Sequence, residues 1–117
     1  MVNKVEYLNR KTIMIGQDSY YIALPIVVSG TANGIIKAGE PLKGNIEKRD
    51  TAFTAATTGA VGINLHDVQL DASGKGNATL VIAGCVDLLK LESAVKTNVD
   101  TAKASLPRII FVEGSAI

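Results

Sequence analysis

The amino-acid sequence predicts an α+β domain that is mainly β: a small compact barrel- or sandwich-like body with one helix, about 88–106, and an extended N-terminal arm. Three observations carry this. Short runs rich in β-branched residues recur between Tyr20 and Val86, separated by Gly, Asn and Pro turns. The apolar period changes from two to three and four after Asp87. The chain has 117 residues, 47% hydrophobic and 20% charged, which suits one ordered domain with a core that needs no disulfide. Residues 1–17 read as an N-terminal arm or first strand, and 18–117 as a single domain.

Along the chain, Thr12-Ile-Met-Ile-Gly16 is a small β-prone run. Tyr20 to Val28 is a strand, and Pro25, which has no amide to give a ladder, places it at an edge or bends it. Ser29-Gly-Thr-Ala-Asn-Gly34 is a turn, since Asn and Gly tolerate positive φ. Ile35-Ile36 restarts a strand, Ala38-Gly-Glu-Pro41 turns, and Leu42 to Ile46 extends again. Glu47 to Gly59 lacks periodicity and reads as a loop anchored by Phe53. In Val61 to Val68, apolar Val61, Ile63 and Leu65 alternate with Gly62, Asn64 and His66, the pattern of a strand with one buried face. Asp71-Ala-Ser-Gly-Lys-Gly-Asn77 is a hairpin-type connection, and Ala78 to Val86 reads as the best buried strand in the chain. Leu88, Leu91, Val95, Val99, Ala102 and Leu106 then share one helical face, read as intradomain core. Asp87 is its N-cap, Asn98 to Thr101 is a weak stretch where it can break, and Pro107 stops it. Arg108-Ile-Ile-Phe-Val112 is the last strand.

Little in the sequence points to chemistry. Twelve basic and eleven acidic residues give a formal charge of +1, with no basic run and no aromatic platform for nucleic acid. The N-terminus lacks the apolar core of a signal peptide, and the longest apolar stretch is too short to span a bilayer. Cys85 is the only cysteine and His66 the only histidine, so neither a disulfide nor a thiolate zinc site is expected. His66 and Asp67 are neighbours on a strand and point to opposite faces. Cys85 follows Gly84 in an apolar run and reads as a small buried hydrophobe. Asp67 and Asp71 offer too few ligands for calcium. Ser73-Gly-Lys-Gly76 leads into a strand and lacks the helix N-terminus of a phosphate loop. No catalytic residue, cofactor or metal is expected.

Four segments, taken in order, carry a resemblance. Ile35-Ile-Lys-Ala-Gly-Glu-Pro-Leu-Lys-Gly-Asn45 is followed by Arg49-Asp-Thr-Ala-Phe53, then Ala60-Val-Gly-Ile-Asn-Leu-His-Asp67, then Asn77-Ala-Thr-Leu-Val-Ile-Ala-Gly-Cys-Val-Asp-Leu-Leu-Lys-Leu91. Over about residues 20–113 this series resembles the head decoration and head fibre proteins of tailed bacteriophages, and more distantly the lambda-type decoration proteins. The resemblance implies a structural virion protein without enzymatic activity, made in the host cytoplasm, that binds the major capsid protein at three-fold or quasi-three-fold positions of the matured head. It implies a homotrimer on the capsid surface, with no direct nucleic-acid or membrane partner. The chain departs from fibre proteins in having no long extension to build a spike.

Under that resemblance, Val2 to Ile15 is the candidate capsid-binding arm, because an extended peptide can add a strand to an open sheet edge. Val5, Tyr7, Ile13 and Ile15 share one parity and form one side of such a strand. The other reading is that Thr12 to Gly16 pairs inside the domain; both stand on the sequence alone. A different function class is a small β-barrel binding or carrier module of an enzyme system, with Lys75 at a hairpin tip. That lysine lies between Gly74 and Gly76, without the attachment motif a carrier needs.

Overall fold

The computed structural model describes residues 13–14 and 21–113. Its organising element is the apolar run after the Asp71 turn, which forms a 13-residue strand; the strands in chain order are β1 (Ile22–Ser29), β2 (Ile35–Ile36), β3 (Pro41–Lys43), β4 (Thr54–Ala55), β5 (Gly62–Asn64), β6 (Val68–Gln69), β7 (Lys75–Asp87) and β8 (Ile109–Val112). β7 pairs antiparallel with β1 along Lys75–Ala83, antiparallel with β5 at Leu80 and Val81, and parallel with β8 from Gly84 to Asp87. The main sheet runs β1-β7-β5-β3-β4, while β2 and β6 form a separate two-stranded ribbon. The domain is therefore mainly β with one α-helix among the described residues, α1 (Ser93–Ala102).

β7 is buried on both faces, for a reason visible in adjacent residues. Leu80 packs with Ile26, Val28, Ile36, Leu42, Phe53, Leu70 and Ala78 inside the curled sheet. Val81 packs on the opposite face with Ile63, Leu91, Val95, Val99, Ala102 and Leu106, under the helix. One strand thus separates two cores, which is why its sequence is continuously apolar rather than alternating. At Gly84, whose φ of 146° favours glycine, β7 leaves the main sheet and begins its pairing with β8. A strand that changes partners at such a bend is a standard way to turn a corner between sheets.

The sheet curls but the barrel stays open. Its two ends approach where Phe53, just before β4, accepts a hydrogen bond from Ser29 N–H (2.9 Å) and donates its own N–H to Val27 O (2.8 Å). This single bridge clasps the outer edge of β1; no ladder completes the circle. Pro25 sits in that edge strand, as its missing amide requires. Phe53 is the loop anchor expected from the sequence, although the loop also contains β4, which its two exposed residues did not announce.

Two elements differ from expectation. The region from Leu88 to Leu106 is not one helix: a 3₁₀ turn at Leu88–Lys90 precedes α1, and a second at Lys103–Ser105 follows it. The break falls at Leu91 and Glu92, not near Asn98. Asp87 does cap, but it caps the 3₁₀ turn, accepting from Leu89 N–H at 3.0 Å. The residues Leu91, Val95, Val99, Ala102 and Leu106 are nonetheless all buried in one core cluster, with Leu91 held in an extended link between the 3₁₀ turn and α1. The second difference is the Val61–Val68 strand, which stops at Asn64, with Val68 and Gln69 pairing β2 instead.

Of the N-terminal segment the structure describes only Ile13 and Met14, and both are buried in the core under the helix. Met14 bridges Val86, and Ile13 O accepts from Asp87 N–H at 2.7 Å.

Candidate functional site

An open cleft of about 440 Å³ lies between the Ile36–Glu40 connection, the Leu65–Asp67 corner and the 3₁₀ turn after β7. Its lining runs from apolar Ile13, Ala38 and Leu65 to polar Lys37, His66, Asp67, Lys90 and Glu92, with Leu89 at the lip. Leu89 is 63% exposed.

Asn64 holds this region together. It lies in the alternation where a solvent-facing residue was expected, yet it is fully buried, because β5 has a core on each side. Its Nδ2 donates to Ile36 O and Lys37 O, each at 3.1 Å, and to His66 O. Its main chain adds Gly39 N–H to Asn64 O (2.6 Å) and Asn64 N–H to Glu40 O (2.9 Å). Its Oδ1 has no hydrogen-bond partner. One side chain therefore satisfies main-chain carbonyls from both walls of the corner, as buried carbonyls require.

Outer contacts finish the walls. Asp67 Oδ1 accepts from Ala38 N–H at 2.8 Å, and Lys37 Nζ pairs with Glu92 Oε2 at 3.2 Å. Behind the cleft, Asn98 Nδ2 on α1 donates to Glu40 Oε2 at 2.8 Å. Burial pushes the Glu40 carboxyl up, and the Asn98 bond opposes that only in part. At the Asp71 turn the sign reverses. There the Lys75 N–H, then the Ser73 hydroxyl and N–H, donate to Asp71 and hold its carboxyl below the usual range.

The Glu40 shift has a testable sign. Because the folded protein holds this proton more tightly than the unfolded chain, stability is greatest below the ordinary glutamate pKa. It declines as pH rises through the higher folded value. Glu40→Gln keeps an acceptor for Asn98 and removes the charge. The variant is expected to gain on wild type in urea midpoint as pH rises from acidic to neutral, and an equal difference at both pH values would refute this.

The groups singled out for chemistry do not assemble. His66 is exposed in the cleft, whereas Cys85 is half-buried in β7 and does not line it. Cys85 is thus less enclosed than the buried hydrophobe its context suggested. Among the described residues no three His, Cys, Asp or Glu side chains cluster to hold a metal ion. No described helix is long and apolar enough to cross a membrane. Lys75 is exposed but is the first residue of β7, opposite Ser29, not the tip of the hairpin.

Of the four residues proposed for capsid contact, Val5, Tyr7 and Ile15 lie outside the described residues. Ile13 is corrected: it is 3% exposed and packs in the core, so at this position the segment pairs inside the domain. The cleft itself was missed in the sequence. Its one sequence-level signal was Asn64, a carboxamide in the middle of an apolar strand.

No protein-family model matches the chain, and no curated protein matches it significantly.

Proposed function

We propose that this chain is a structural virion protein that binds the outer surface of a phage capsid and stabilises the matured head as a homotrimer, without enzymatic activity. The observation that carries the reading is the ordered series of the four resembling segments. Its fold expectation, a mainly β body with one helix against the sheet, is met. In this reading the major capsid protein is the partner, and Val5, Tyr7 and Ile15 are the arm residues that contact it. The cleft is lined by Ile13 and the exposed Leu89.

The test is co-sedimentation of the purified protein with matured and immature capsids of the phage that encodes it. Saturable binding to matured shells only is expected, with a rise in capsid melting temperature, since a ligand of the assembled state stabilises it by linkage. Absence of binding to either shell, or unchanged melting at saturation, would overturn the reading.

A further inference from the structure

We propose that the Asn33–Gly34 peptide is a latent self-modification site, deamidation through a cyclic imide, which the fold holds closed with Gln69 as the positioning residue. Asn33 is exposed at the tip of the β1–β2 turn with φ 59°. The following residue has no side chain to shield its nitrogen. In the reaction the Gly34 backbone nitrogen loses its proton and bonds to Asn33 Cγ, the Cγ–Nδ2 bond breaks, and ammonia leaves. Water then opens the imide at either carbonyl, leaving aspartate or isoaspartate at position 33.

The attacking nitrogen and both flanking carbonyls are occupied in this structure. Gly34 N–H donates to Thr31 O at 2.9 Å, and Asn33 N–H to Asp71 O at 2.8 Å. Leu70 N–H donates to Gly34 O at 2.8 Å. Gln69 Nε2 reaches Asn33 O at 2.9 Å, Gly34 O at 3.1 Å and its neighbour Leu70 O at 3.2 Å. Cyclisation must rotate the Asn33–Gly34 peptide, so it must release the Gln69 contacts together with the Thr31 bond. Gln69 is the one side chain that grips both carbonyls of the reacting dipeptide, and being exposed it is free of any core duty.

The product has a structural consequence. Isoaspartate inserts one extra backbone carbon before Gly34 and moves Gly34 O away from Leu70 N–H. The β2–β6 ribbon beside it is only two residues a side, Ile35–Ile36 with Val68–Gln69, and has little pairing to spare.

The experiment ages the full chain, folded and in urea, and measures deamidation at Asn33 by peptide mapping with mass spectrometry. The urea-unfolded chain is expected to react at least about tenfold faster, the scale of losing one or two net hydrogen bonds. Folded Gln69→Ala and Gln69→Glu, neither able to donate to the carbonyls, are expected to move toward the unfolded rate. Exposed Asn45 and Asn77, which glycine does not follow, should stay at wild-type rates in both variants. A folded wild type that reacts as fast as the unfolded chain, or folded variants that react no faster than wild type, overturns the proposal. If neither variant folds, amide exchange at Gly34 in wild type replaces them: suppression of deamidation should track protection of that amide, and a mismatch overturns the proposal.

Discussion

Asn64→Asp is expected to cost about 3–5 kcal/mol at neutral pH, the scale of leaving an uncompensated charge buried. That is a large part of the 5–15 kcal/mol typical of a whole domain. The substitution is nearly isosteric, so its effect is electrostatic. Asn64 is fully buried, and its Nδ2 faces the carbonyls of Ile36, Lys37 and His66. Aspartate places an oxygen there, removing two N–H donors and setting negative charge against three carbonyl dipoles. The folded state will take up a proton instead, which raises the new carboxyl's pKa. Stability of the variant should then be best at acidic pH and fall as pH rises through that raised value. Asn64→Ala separates charge from lost hydrogen bonds, since it leaves the carbonyls unsatisfied at about 1–3 kcal/mol without adding charge. Urea denaturation should rank wild type above Asn64→Ala above Asn64→Asp at neutral pH, with the gap between the variants narrowing in acid. An aspartate variant within about 0.5 kcal/mol of wild type, the range of surface substitutions, would mean that Asn64 does not hold the corner.

Asn64 also shows where sequence pattern stops being informative. Alternation identified the strand and its Ile63 face, because a strand's period of two is local geometry. It could not tell that the other face was covered too, which depends on β3 and the Ile36–Glu40 connection arriving from elsewhere in the chain. Ala78 to Val86 was legible because continuous apolarity already declares two buried faces. The helical stripe was legible as a face but not as one helix: Leu91 and Glu92 are ordinary helix formers, and the break follows from seating Leu91 in the core. Pro25 and Phe53 were legible because each carries one strong physical constraint, a missing amide and a large ring. The cleft was not legible, since its walls are brought together by long-range contacts such as Ala38 with Asp67 and Lys37 with Glu92. Gln69, polar and exposed, carries no sequence signal of its contacts to Asn33 and Gly34.

Phe53→Ala is expected to cost about 3–5 kcal/mol, the usual range for deleting a buried aromatic side chain. It should also open the edge of β1. The ring is fully buried among Val28, Leu42 and Leu80, and Gly44 makes room for it, since a Cβ there would overlap the ring. The backbone of the same residue supplies both hydrogen bonds that clasp β1, through Val27 O and Ser29 N–H. Neither bond uses the side chain, so an alanine could in principle keep both; what it loses is the packing that fixes the loop from Glu47 to Gly59 over the edge. Two readouts separate these contributions. Denaturant unfolding reports the lost ring, and hydrogen exchange at the Ser29 amide reports the clasp. Coupling of ring and clasp predicts that Ser29 exchanges faster than the global stability of the variant allows. It also predicts association at high protein concentration, because an uncovered strand edge is a template for pairing. Gly44→Ala attacks the same ring from the opposite side by overpacking, at about 1–3 kcal/mol, and should shift Ser29 exchange in the same direction. If Ser29 in Phe53→Ala stays protected to the full extent of the remaining global stability, the edge is closed by the loop backbone alone and the ring serves only the core.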